Sequence, residues 1–255
     1  GIPSFDKKER RDEPKHLTVC FSTQAGCAMG CTFCATGHEG LTRNLSSSEM
    51  VCQIIAVQDD FNCRVTNLVS MGQGEPFQNY EASLEALRFA NAKDGLEIGA
   101  RHITVSTCGI IQGIDKLAQE PEQFTLAVSL HSAIQSVRNE IMPRCSGIPL
   151  PKLKESLVSY VDKTGRRVSL EYLLIKGVTD TEESLDSLIG FCNGLLCHVN
   201  LLTVNEVEGS PCKPSAPATQ QHWVKSLKGS GKEATIRNSR GSDIDGACGQ
   251  LKNKM

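Results

Sequence analysis

No stretch of this chain is apolar for long enough to cross a membrane, and no basic-then-apolar leader precedes the first strand pattern. A membrane-spanning helix and a secretory route are therefore not expected, and the expected location is the cytoplasm. An excess of one charge is lacking too. The 27 Lys and Arg face 29 Asp and Glu, a formal net charge of −2, which by itself gives no support to nucleic-acid binding. Internal repeats and low-complexity tracts are absent, which excludes a repeat array. What is left is an ordinary globular composition over 255 residues, enough for one large α/β domain with a substantial core. The chain begins at Gly1 rather than Met, so a native N-terminal segment is expected to be missing.

Cysteine, by contrast, is plentiful. Twelve Cys without a secretory leader point to a reducing cytosol rather than a disulfide framework. Four of them crowd into one stretch, Cys20-Phe-Ser-Thr-Gln-Ala-Gly-Cys27-Ala-Met-Gly-Cys31-Thr-Phe-Cys34. Thiols at 27, 31 and 34 can surround one inorganic cluster from a single loop. Cys thiolates are the usual ligands of a four-iron cubane, and three of them leave one iron open for a small molecule. Zinc is the alternative, with His38 or Cys20 as fourth ligand. Structural zinc, however, usually pairs a short C-x2-C knuckle with a second knuckle or His pair, and none follows here.

The rest of the chain reads as strands alternating with helices. Residues 1–16 are polar and expected to be extended or disordered; 17–251 form the domain and 252–255 a tail. Strands are expected at Leu17–Thr23, Asn67–Met71, His102–Thr107, Phe124–Leu130, Val168–Ile175 and His198–Val204, with a last one near Ala234–Arg237. Ser46-Ser-Ser-Glu49 reads as a capping box opening a helix to about Phe61. Further helices are expected near 80–92, 111–119, 150–163, 181–193 and 220–228. Strands and helices in alternation imply right-handed βαβ units. Polar residues recur at successive strand ends, which favours an open, partial (βα)6 barrel over a doubly wound sheet. The site should then lie at the carboxyl ends of the strands. Those ends carry Gly72-Gln-Gly-Glu-Pro76, Ser106-Thr-Cys-Gly109, Ser129-Leu-His131 and Asn205.

Near the C-terminus, Ser239-Arg-Gly-Ser-Asp-Ile-Asp-Gly-Ala-Cys248-Gly-Gln-Leu251 places a Cys between two small residues. Arg240 and any adjacent helix N-terminus would favour its thiolate, whereas the competing reading is a small buried apolar residue. From Ser210 to Met255 there are eight Lys/Arg against three acids, and Lys7, Lys8, Arg10, Arg11 and Lys15 crowd the N-terminal segment. Such clusters could contact phosphates, or form a solvated face.

The x3/x2 Cys spacing resembles the signature loop of radical S-adenosylmethionine (SAM) enzymes. With Gly72–Pro76, Ser129–His131, Asn205 and the C-terminal motif added, the chain from about Leu17 to Leu251 resembles the RlmN/Cfr family of radical-SAM RNA adenine methyltransferases. That resemblance implies a [4Fe-4S] cluster on Cys27, Cys31 and Cys34. It implies SAM contacts from Gly74, Glu75, Ser106, Ser129, Leu130, His131 and Asn205. It makes Cys248 a methyl carrier and Cys20 its resolving partner through a disulfide. In the family the methyl first goes to the counterpart of Cys248, and a second SAM then supplies a radical that activates it toward an electron-poor adenine carbon, so two SAM are used per turnover. The implied carbon is C2, in ribosomal (23S-type) RNA and transfer RNA; a C8-specific enzyme and a radical-SAM enzyme on a non-RNA substrate are the alternatives. A flavodoxin-like electron donor and a monomeric state are implied as well. The chain departs from the family at Gln73, where Met is usual, and lacks the family's N-terminal RNA-binding domain and the glutamate just upstream of Ile2-Pro3.

Overall fold

The computed structural model describes residues 2–4, 16–205, 210–237 and 248–251. Its main sheet holds eight strands: β1 (Ile2–Ser4), β2 (His16–Cys20), β5 (Asn67–Val69), β6 (Ile103–Thr107), β7 (Thr125–Ser129), β8 (Val168–Leu174), β9 (Cys197–Thr203) and β10 (Glu233–Arg237), in that spatial order. The seven strands from β2 to β10 run parallel and curl into a half-barrel. Only β1 is antiparallel, pairing Ile2 with Thr18 at the edge of the sheet. The expected partial barrel is therefore present. It is bordered at one edge by β10 and at the other by a short strand in the segment expected to be extended or disordered.

Helices α2 (Ser47–Phe61), α3 (Tyr80–Asn91), α4 (Ile111–Leu117), α6 (Leu150–Thr164), α7 (Glu182–Cys192) and α8 (Pro217–Gly229) connect successive strands, and α5 (Gln135–Ile141) is a short extra helix after β7. Each crossover helix exists because its apolar residues recur at helical spacing. In α6 these are Leu150, Leu153, Leu157 and Tyr160, all buried against the sheet. The capping box at α2 forms as expected: Glu49 N donates to Ser46 Oγ at 3.2 Å and Ser46 N to Glu49 Oε2 at 2.9 Å. Arg43 then clamps the same carboxylate at 2.8 and 2.7 Å.

The main core lies between the convex face of the sheet and these helices, with Leu68, Val105, Leu126, Val128, Leu170, Tyr172, Val199 and Trp223 among its members. Because strand side chains alternate, the opposite set points into the barrel. On β8 and β9 that set includes Glu171 and Asn200, which hydrogen-bond to each other. A second, smaller cluster of Met29, Cys31, Ile141, Met142, Cys145 and Leu173 packs behind the Cys loop. A two-stranded hairpin of β3 (Gln24–Gly26) and β4 (Leu41–Asn44), with the short helix α1 (Ala35–Glu39) between its arms, brackets that loop. No helix among the described residues is long and apolar enough to cross a membrane.

Candidate active site

Parallel strands bring all their carboxyl ends to one rim, and at that rim lies a cavity of about 480 Å³. Its walls include Cys20 from the end of β2, Cys27, Cys31 and Cys34 from the Cys loop, and Gly74 and Glu75 from the loop after β5. Ser106, Ser129, His131, Asn205 and Cys248 complete the set expected from the sequence. Leu130 alone among those residues does not reach the cavity. It is fully buried in the main core, because its neighbours Ser129 and His131 take the other side of the chain. The volume is that of a small-molecule site.

The Cys loop is held from three sides. Cys27 N donates to Gly40 O at 2.8 Å, Thr32 N to Ile141 O at 3.0 Å, and Ala35 N to Gly249 O at 2.7 Å. The last bond ties the loop to the C-terminal turn that carries Cys248. Gln73, the departure from the family pattern, accepts from Gly26 N at 3.0 Å through its side chain and from Thr23 N at 2.9 Å through its carbonyl. It thereby pins the entry to the loop against the strand end. Gly74 follows at φ 102, and a Cβ there would lie 2.6 Å from the Gln24 side chain, so glycine is the residue this turn admits.

Among the described residues no three His, Cys, Asp or Glu gather closely enough to hold a single metal ion. The three loop thiols instead border one side of the cavity, an arrangement and donor set that suit a multi-iron cluster better than one zinc ion. His38, offered as a fourth zinc ligand, lies outside the cavity lining, and its Nε2 contacts Thr32 O at 3.2 Å. Burial pushes the Cys27 thiol up, opposed by nearby backbone N–H groups.

Glu75 is buried, and both carboxylate oxygens are occupied. Oε1 accepts from Phe77 N at 3.0 Å and Oε2 from Cys108 N at 2.6 Å. Desolvation still raises its pKa, against those hydrogen bonds. Arg138 braces the same wall from beneath, donating to Cys108 O at 2.7 Å and to Leu130 O at 3.2 Å. His131 adopts φ 53, which is uncommon for a residue with a side chain. Its Nδ1 accepts from Leu173 N at 3.2 Å and its ring meets Phe33 edge-on at 4.8 Å. Burial, with Arg138 nearby, pulls its pKa down to about 3, so the ring is neutral and the Nδ1 bond leaves its proton on Nε2.

Cys20 and Cys248 are both accessible, through the cavity. They are free thiols, as are all twelve cysteines. Burial pushes the pKa of Cys248 up to about 12, with Cys20 and Cys34 adding to the rise and Arg237 opposing it. Arg240, the residue expected to favour the thiolate, lies outside the described residues, as do the motif positions from Ser239 to Ala247. Asn205 Nδ2 donates to Cys248 O at 2.9 Å and holds the turn at the rim.

Met71, Cys108, Glu171 and Arg237 are among the cavity residues with no role expected from the sequence. Glu171 carried a usable signal, a lone carboxylate in the middle of the apolar strand Val168–Leu174.

Residues 21–189 match the family described as the radical SAM superfamily. Over 237 residues the chain is 44% identical to a probable dual-specificity RNA methyltransferase RlmN of Clostridium tetani, covering 93% of this chain and 68% of that one. The chain belongs to the radical SAM superfamily and, within it, to the RlmN family. A second RlmN, from Clostridioides difficile, is 44% identical over 95% of this chain and 71% of its own length. Among solved structures, a radical SAM methyltransferase from Sphaerobacter thermophilus superposes with a TM-score of 0.90 at 45% identity, over 94% of this chain and 71% of that one. Membership of the radical SAM superfamily accounts for three cysteines on one loop at the mouth of a partial barrel.

Proposed function

We propose that this chain is an RNA methyltransferase that places a methyl group on C2 of adenine, in ribosomal and transfer RNA, through a methylated Cys248. The observation that carries this reading is the meeting in one cavity of the three thiols of the Cys loop with Cys20 and Cys248, which come from opposite ends of the chain. Cys27, Cys31 and Cys34 would hold a [4Fe-4S] cluster, which when bound supplies the electron for radical chemistry on SAM. Gly74, Glu75, Ser106, Ser129, His131 and Asn205 would border the SAM site, with Leu130 supporting it from the core. One SAM provides the methyl group and a second the radical, two per turnover.

The protein's own task is to manage two thiols. Cys248 must give up its proton to accept a methyl group, and burial resists that until a cationic methyl donor enters beside it. Once methylated, Cys248 sits where its methyl group faces the cavity. A hydrogen atom of the S-methyl group would go to the radical from the second SAM, and the resulting carbon would bond to adenine C2. After one electron leaves this adduct, Cys20 would take the proton from C2, pass it on, and attack the Cys248 sulfur. The sulfur–carbon bond then breaks, the carbon picks up a proton, and a Cys20–Cys248 disulfide is left for an external thiol to reduce. An external one-electron donor such as flavodoxin, a monomeric state and a cytoplasmic location complete the proposal.

The test is chemical. Cys248→Ala should carry no methyl group and form no RNA adduct, while Cys20→Ala should accept the methyl group and accumulate a covalent protein–RNA species. Both are read by mass spectrometry and denaturing gels with reconstituted protein. A Cys20→Ala protein that turns over like the parent, with no trapped adduct, would sink the two-thiol reading.

A further inference from the structure

Glu171 is the most conspicuous polar group that the proposed chemistry leaves without a task. It stands in the middle of β8, is 2% exposed, and lines the cavity beside Cys20, Cys248 and Arg237. One oxygen, Oε1, accepts from Asn200 Nδ2 at 2.8 Å. The other, Oε2, is buried and has no hydrogen-bond partner. A buried carboxylate oxygen left unpaired costs free energy, so its position calls for a partner that arrives later.

The nearest cation does not serve. Arg237 Nη1, at the end of β10, lies 4.0 Å from Glu171 Oε2, beyond hydrogen-bond range, and donates instead to Met71 Sδ at 3.5 Å. A thioether is a weak acceptor. The same chain shows what a closed ion pair looks like: Arg88 meets Glu120 and Glu122 at 2.6 and 2.7 Å. At the cavity floor the acceptor and the donor are splayed instead, so each keeps capacity for a guest.

We infer that Glu171 and Arg237 together read the edge of an adenine ring, Glu171 Oε2 accepting from the exocyclic amine and Arg237 donating to the ring nitrogen beside it. Adenine offers such a donor and acceptor side by side on one planar edge. The inference rests on the proposed function, which brings adenine into this cavity from two sources, SAM and the RNA. It adds two residues, neither on the Cys loop nor among the SAM contacts expected from the sequence. The network behind them is already built. Asn200 holds Glu171 and in turn accepts from Thr235 Oγ1 at 3.1 Å, which fixes the carboxylate without using its free oxygen.

The test is a binding comparison on anaerobically reconstituted protein, in two arms. The cofactor arm compares S-adenosylhomocysteine with its analogue lacking the 6-amino group. The RNA arm compares a short hairpin carrying adenosine at the target with one carrying unsubstituted purine. Loss of a hydrogen bond to a buried carboxylate should weaken the parent's binding about 10- to 100-fold in the arm whose adenine is read. Glu171→Met, which removes the acceptor at similar volume, should abolish that preference. Glu171→Gln should lose most of it too, because Asn200 takes the one acceptor oxygen that glutamine keeps and leaves an NH2 facing the amine. Arg237→Met, at a more exposed position, should leave the amine preference in place. It should erase the penalty for replacing the neighbouring ring nitrogen by carbon, and the 1-deaza and 7-deaza analogues say which nitrogen that is. The arm that shows these losses identifies the source of the ring. A parent that binds the paired ligands alike in both arms, or a preference unchanged in Glu171→Met, would overturn the inference. Failure of the proposed function looks different: the parent would place no methyl group on Cys248 or on RNA.

Discussion

Asn205 Nδ2 donates to the backbone carbonyl of Cys248 at 2.9 Å, joining the end of β9 to the C-terminal turn. The expected role of Asn205 is a SAM contact, and its amide here serves the turn that carries the methyl acceptor. One side chain therefore stands between ligand site and carrier. Asn205→Ala should loosen the turn and raise the rate at which Cys248 is alkylated by iodoacetamide several-fold. It should cost only about 1 kcal/mol of overall stability, since the bond is near the surface. Peptide-resolved mass spectrometry of alkylation, beside urea melts, checks both.

Three loop thiols border the cavity, and each should be indispensable to a cluster. Cys27→Ala, Cys31→Ala or Cys34→Ala should abolish iron incorporation and the brown chromophore while leaving the far-ultraviolet circular dichroism close to that of the parent. Normal iron and sulfide content in any one variant would remove that residue from the ligand set.

Glu75 satisfies two backbone N–H groups with its two oxygens, at Phe77 and Cys108. Glutamine offers one acceptor and one donor, so Glu75→Gln should leave one of those buried N–H groups unpaired. The expected cost is about 1–3 kcal/mol in urea unfolding. A variant as stable as the parent would show that the loop can re-satisfy both groups.

His131 has an ordinary pKa near 6.5 when unfolded and about 3 when folded, because burial excludes its charged form. Below pH 6.5 the unfolded chain binds a proton that the folded chain refuses. Stability from this group is complete above pH 6.5 and is lost as pH falls from 6.5 toward 3, by about 1.4 kcal/mol per pH unit. Glu75 and Glu171, whose pKa values are raised, contribute with the opposite sign. The difference between the parent and His131→Gln isolates the histidine. The parent's advantage over the variant should shrink by about 2 kcal/mol between pH 7 and pH 5, measured by urea unfolding. A difference constant with pH would mean that His131 is protonated within the fold.

The spacing of Cys27, Cys31 and Cys34, the alternation of strands and helices, and the polar residues at strand ends were all legible along the chain. Each is a local pattern: a loop that a few residues close, or a period of two or 3.6 that burial imposes on neighbours. Because every β–α–β crossover has one hand, those local patterns also placed the strand ends on one rim. Tertiary structure alone decided the rest. That Leu130 turns into the core between Ser129 and His131 depends on the path of the chain after β7. That β3 and β4 clasp the Cys loop, and that Ile2–Ser4 pairs with β2, depends on pairings too short to announce themselves. That Cys20 and Cys248 line one cavity, and that Arg237 comes within 4.0 Å of Glu171, joins residues far apart in the chain through the curl of the sheet and the pairing of β8, β9 and β10. At Cys248 the surrounding walls push the thiol pKa up, an effect that the neighbouring residues in the sequence do not reveal. Desolvation is a property of surroundings, and no residue carries it in its own name.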